Sequence, residues 1–165
     1  MAAGSTYVAL ATNTLGSTAS SVTFSSISGS YTDLVIVCSP TGAGTGDVSM
    51  YVNGDSASNY SRTVIDGNGS SAVSARSSGA TYILLNYNGA TTTANPNYYA
   101  VNVMNYANAT TYKTILCRQS NAANGVAATV GLWRSTAAIT SITIQVGGTG
   151  FASGSTFNLY GILAA

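Results

Sequence analysis

Apolar residues recur at every second position in short runs along this chain, and most runs end in a cluster of glycine, asparagine or serine. A period of two is the signature of strands with one face buried, whereas an amphipathic helix repeats every 3.6 residues. Val48, Met50 and Val52 share a face, as do Ile142, Ile144 and Val146, which alternate with Ser141, Thr143 and Gln145. About ten or eleven such runs follow one another at the spacing of a sandwich or barrel, with no helical segments between them that would support a parallel α/β sheet. The expected fold is therefore all-β, an antiparallel β-sandwich of jelly-roll type. An immunoglobulin-like Greek key would show similar spacing, but Trp133 follows both Cys38 and Cys117, so the Cys…Trp…Cys order of that fold is missing.

Taken in order, Tyr7–Ala11 and Ser21–Ile27 read as short strands. In YTDLVIVCS the unbroken run Leu34–Val37 suggests a central strand covered on both faces. Asn53-Gly54-Asp55 carries the Asn-Gly signal of a tight turn, with Asn59–Asp66 as the returning strand. Gly67–Gly79, GNGSSAVSARSSG, is low in complexity and reads as an exposed loop. Tyr82–Tyr87 resumes the sheet. Tyr98–Tyr106 and Thr111–Arg118 form a hairpin around ANAT, with Ile115 and Cys117 on one face and Leu116 on the other. Val126, Ala128, Val130 and Leu132 share a face. The chain closes with a second hairpin, whose last strand holds Phe157, Leu159 and Leu163 on one side. At 165 residues a single domain spanning 1–165 is expected, with residues 1–15 as an extended N-terminal arm.

Composition removes several kinds of chemistry. There is no His and no Glu, and five Lys or Arg stand against four Asp, for a formal net charge of +1. Ser-His and Cys-His pairs and His-containing zinc sites are therefore excluded. A carboxylate pair would have to come from Asp33, Asp47, Asp55 and Asp66. The hairpin expected around Tyr60 would bring Asp55 toward Asp66, but NGD and DGNG are turn sequences first. Asp66, Asn68 and Ser70 alternate as in a calcium loop, yet the rest of that pattern fails. No enzyme activity, cofactor or metal is expected, and no basic footprint marks a nucleic-acid or membrane partner. No apolar run is long enough to cross a bilayer, and the N-terminus lacks the basic region of a secretory signal. Cys38 and Cys117 are expected as buried free thiols, since a core of this size needs no bridge. A near-neutral surface of hydroxyls and amides permits self-association.

The candidate interaction surface consists of Tyr98, Tyr99, Tyr106, Tyr112, Trp133 and Arg134. Tyrosine is favoured both in strands and at binding surfaces. These tyrosines either pack in strands with outward hydroxyls or form a subunit or glycan contact. Trp133 is expected to pack under a loop or at an oligomer seam, with Arg134 hydrogen-bonding backbone carbonyls.

Six stretches carry a family resemblance: MAAGSTY with ATNTLGSTASSVTFSSI at the start, SYTDLVIV at 30–37, NGDSASNYS at 53–61, MNYANATTYKT at 104–114, GLWRSTAAITSIT at 131–143 and GSTFNLYGILAA at the end. Together they resemble a family of small virion structural proteins of tailed bacteriophages. Residues 67–80 and 88–97 are less family-like. The resemblance supplies no catalytic residues. It implies a protein made in the host cytoplasm and carried on the virion. The first role implied is a capsid cement or decoration protein, a homo-oligomer with a trimer favoured, bound to the major capsid protein. The second is a tail-fibre or baseplate module that recognises a host-surface glycan.

Overall fold

The computed structural model describes residues 6–86, 93 and 95–163. Among them are twelve strands and no helix: β1 (Tyr7–Thr14), β2 (Ser21–Phe24), β3 (Asp33–Ser39), β4 (Val48–Val52), β5 (Tyr60–Gly67), β6 (Ala72–Ala80), β7 (Ile83–Leu84), β8 (Asn97–Met104), β9 (Lys113–Asn121), β10 (Gly125–Trp133), β11 (Ile142–Val146) and β12 (Thr156–Ile162). They form an eight-stranded sheet in the order β1-β12-β3-β8-β9-β10-β5-β6 and a four-stranded sheet in the order β2-β11-β4-β7, with antiparallel pairing throughout. The two sheets pack as a sandwich around one core. Ile36, Val101, Ile115 and Phe157 enter it from the large sheet, and Met50 and Ile144 from the small one. Each such side chain contributes roughly 1.5–3 kcal/mol by leaving water.

Eight of the strands pair as one long hairpin folded about the link between β4 and β7. β4 pairs with β7, β3 with β8, β2 with β11, and β1 with β12. Rolling that hairpin adds the pairs β3–β12 and β4–β11, so the strands of each arm, β1 to β4 and β7, β8, β11 and β12, alternate between the two sheets. The other four, β5, β6, β9 and β10, all join the large sheet and widen it past its smaller partner.

Alternation placed the core side chains correctly in β4, β9 and β11, and the β8–β9 hairpin forms as expected. Elsewhere the structure corrects the reading. Asn53 and Gly54 do make a tight turn, both at positive φ, with the Asp55 N–H donating to the Val52 carbonyl at 2.9 Å. The turn does not return the chain to the same sheet, because β4 and β5 belong to different sheets. The closing β11–β12 segment likewise crosses between sheets, and Phe151 bridges to Ala19 and Gly42 on the way. In the last strand Phe157 and Leu159 are buried but Leu163, beyond its end, is exposed.

Gly67–Gly79 is not a loop. Most of it is β6, a nine-residue edge strand paired with β5 along its length and exposed on much of both faces. Its Ser, Ala and Gly residues carry no apolar period, so only the backbone ladder reveals it. Residues 7–14 are not a detached arm either. They form β1, the other edge of the large sheet, with Leu10 packed on the core. β3 is covered on one face only. Leu34, Ile36 and Cys38 are buried, while Val35 and Val37 are half-buried on the outside. Residues 1–5 of the expected arm, Tyr87 of the expected Tyr82–Tyr87 strand and most of the 88–97 interval lie outside the described residues.

Cys38 and Cys117 are both buried and free, as expected. β8 lies between their strands, so they are not cross-strand neighbours: Cys38 pairs with Tyr99, and Cys117 with Val101.

Candidate functional site

β10 is built inside out. Its inward positions are Ala127, Thr129, Gly131 and Trp133, while Val126, Ala128, Val130 and Leu132 face away from the core. The small inward residues let the small sheet approach closely. A Cβ on Gly131 would stand 2.7 Å from Ile83 Cδ1 and 3.1 Å from Cγ2. Gly131→Ala is therefore expected to cost about 1–3 kcal/mol by overpacking, read as a lower urea midpoint at unchanged slope. A wild-type midpoint would refute the close approach.

The outward residues have no cover. Val126 is 60%, Val130 51%, Ile65 on β5 63% and Tyr98 on β8 47% exposed. Ile65 stands beside Ala128 in the register, and Tyr98 is separated from Val126 only by Ser120 on β9. Ile65, Tyr98 and Val126, with Arg118, line a shallow depression of about 550 Å³ on the outside of the large sheet. An apolar stripe of this kind, left outside while smaller residues fill the inside, is the mark of a surface used for contact.

The structure divides the six residues expected at an interaction surface. Tyr98 and Tyr112 are exposed. Tyr99, Tyr106 and Trp133 are buried and cannot form a surface, a correction that follows from strand alternation for Tyr99 and from loop packing for the other two. The Tyr106 hydroxyl donates to the Ser28 carbonyl and accepts the Tyr31 N–H. Trp133 packs under the 53–59 turn, where its Nε1–H donates to Asp55 Oδ2 at 2.7 Å. Arg134 is half-buried and donates to the Tyr60 carbonyl at 3.4 Å.

Asp55 is a hub for that turn. It accepts hydrogen bonds from Asn59 Nδ2 at 2.9 Å and from the Ala57 N–H at 2.9 Å, and Tyr60 Oη donates to its carbonyl at 2.9 Å. Burial alone would raise its carboxyl, but the bonds from Trp133, Asn59 and Ala57 outweigh it and hold the pKa below the ordinary value. Asp66 lies six residues along β5 from Tyr60, about 20 Å away, so the two carboxylates are not brought together. Asn68 Oδ1 is used within its own turn, accepting the Ser70 and Ser71 N–H groups at 3.0 and 2.8 Å. Asp33 Oδ1 accepts the Asn105 N–H at 2.6 Å.

Two features were missed in the sequence. Lys113 is buried, with Nζ donating to the carbonyls of Thr111 at 2.8 Å and Thr136 at 3.1 Å, and burial lowers its pKa. The β10 stripe was visible as four residues sharing a face, but nothing local marked that face as the outer one. No family model matches the chain, and neither a curated protein nor a solved structure matches it.

Proposed function

We propose that this chain is a non-enzymatic structural protein of a tailed-phage virion, a cement or decoration protein that binds the outside of the head and stabilises it. The observation that carries the reading is the exposed apolar stripe of the large sheet, beside which the described residues gather no group of three or more His, Cys, Asp or Glu able to hold a metal ion. A protein acting by contact area needs the former and not the latter. The resemblance of its six sequence stretches to phage virion proteins supplies the setting. The jelly-roll reading of the sandwich is supported by the long hairpin rolled into alternating sheets, an architecture used by viral capsid and lectin domains.

In this reading the partner is the major capsid protein, reached through the N-terminal segment before Thr23 or the loops at one end of the sandwich, while the stripe serves contact between copies; neither nucleic acid nor membrane is engaged. Exposed Tyr98 and Tyr112 favour a second reading, a tail-fibre or baseplate module that holds a host-surface glycan. Copy number decides between them. Quantitative mass spectrometry of purified particles is expected to find this chain at a simple ratio to the major capsid protein. A ratio of a few per cent or less would move it to the tail.

A further inference from the structure

The outer face of the large sheet carries a charge layout as well as an apolar one. Alternation along β3 turns Asp33 outward with Val35 and Val37, the only acidic side chain on that face among the described residues. Arg76 on β6 faces outward at the opposite side of the sheet, across from Thr63, and lies in the same cross-strand row as Val130, Leu116, Asn102 and Val35. β3 and β6 are five strand intervals apart in the sheet order, about 24 Å at about 4.8 Å per interval. The midpoint falls between β9 and β10, beside the apolar stripe.

We infer that two copies of this chain pack face to face through this surface, about a two-fold axis lying over the β9–β10 hairpin and running along the strands. Such an axis lays each row of one copy over the same row of the other, with strand positions reversed about the midpoint. Ile65 then sits over Ala100, Tyr98 over Gly67, and Val130 over Leu116. Large side chains meet small ones on either side of the axis, and in the centre Val130 meets Leu116 while Arg118 lies over Ala128. The same operation places Arg76 of each copy over Val35 of the other, one outward position from Asp33, so the opposite charges meet at both rims.

Self-complementarity of this kind is what an isologous contact requires, in place of the three-fold assembly implied by the resemblance. The face spans about 24 Å by 20 Å, four rows of outward side chains, a flat footprint of about 480 Å² per partner, at the low end of the range for specific contacts. The inference stands independently of the virion reading.

Sedimentation velocity of the full chain at about 100 µM is the test. The expected mass is twice 16.6 kDa. Val130→Glu and Ile65→Glu, both at exposed positions, are each expected to give the monomer while leaving the far-ultraviolet circular dichroism and the burial of both thiols unchanged. Arg76→Asp is expected to weaken the dimer by at least about tenfold, and adding Asp33→Arg to restore it to within about threefold. A wild-type chain at monomer or trimer mass would overturn the inference, as would a dimer indifferent to Val130→Glu. Failure of the charge exchange to restore association would overturn the proposed axis.

Discussion

Raising the pH from 8 to 10.5 is expected to lower the unfolding free energy by roughly 4 kcal/mol through two buried thiols alone. The two thiols dominate. Burial pushes Cys117 up from 9.0 to about 12, partly opposed by Arg118. It pushes Cys38 higher still, with the nearby Cys117 adding to the effect. Burial also raises Tyr60 from 10.0 to about 12, partly offset by its hydrogen bond with the Val52 backbone and helped by Asp55. Tyr99 is raised further, again by burial first. All these groups hold their protons longer in the folded state than in the unfolded one. Above pH 9 the unfolded chain therefore binds fewer protons, and stability falls as pH rises. The loss begins near the unfolded thiol value and continues toward the folded ones. Each buried thiol contributes about 2 kcal/mol of loss by pH 10.5.

The acid side should look different. With no His and no Glu, no side chain with an ordinary pKa titrates between pH 5 and 8, and stability there is expected to be flat. Asp55, held below the ordinary value, contributes stability that disappears only as pH falls through its folded pKa. Urea melts in reductant at pH 7, 8, 9.5 and 10.5 check the curve, and a Cys38→Ala/Cys117→Ala variant should show a shallower alkaline slope. A wild-type curve still flat at pH 10.5 would mean that the thiols are not buried.

Replacing Trp133 by Ala is expected to cost about 3–5 kcal/mol, the range for removing a large buried aromatic. The indole fills the space beneath the 53–59 turn and also donates to the carboxylate that organises that turn. Trp133→Phe separates the two roles. It keeps most of the ring and removes the 2.7 Å bond, and since Asp55 is partly exposed the expected cost is only about 1 kcal/mol. The Asp55 carboxyl should then titrate closer to the ordinary value. Urea denaturation followed by circular dichroism measures both variants. A Trp133→Ala loss under about 1 kcal/mol would show that the turn is held by Tyr60 and Asn59 without the indole.

Local pattern revealed most of the strands and which of their side chains face inward, because a strand with one buried face writes its geometry into every second residue. It did not reveal destinations. Asn53-Gly54 specifies a turn, but which sheet receives Tyr60 depends on partners far away in sequence, and Val126 and Trp133 lie too distant to be read from the turn. β6 was invisible for a related reason. Its Ser74 and Ser78 are exposed, and apart from Ala80 against the core the strand is held by the hydrogen bonds of β5. The candidate site was half legible. Tyr98 and Tyr99 had to point in opposite directions, but the apolar character of both faces of β10 could be resolved only by seeing that Gly131 meets Ile83.

The pairing of β1 with β12 also sets a timetable. During synthesis Tyr7–Thr14 emerges long before Thr156–Ile162, the strand to which it hydrogen-bonds, a delay of roughly 10–30 s at usual elongation rates. Until then β3 also lacks its β12 neighbour, and the small sheet waits for β11. The β8-β9-β10 meander, joined by short turns, can form meanwhile from local closures that cost little entropy. The nascent chain is thus a folded meander carrying unpaired early strands, and closure of the roll is a late, slow event that only the final strand can trigger.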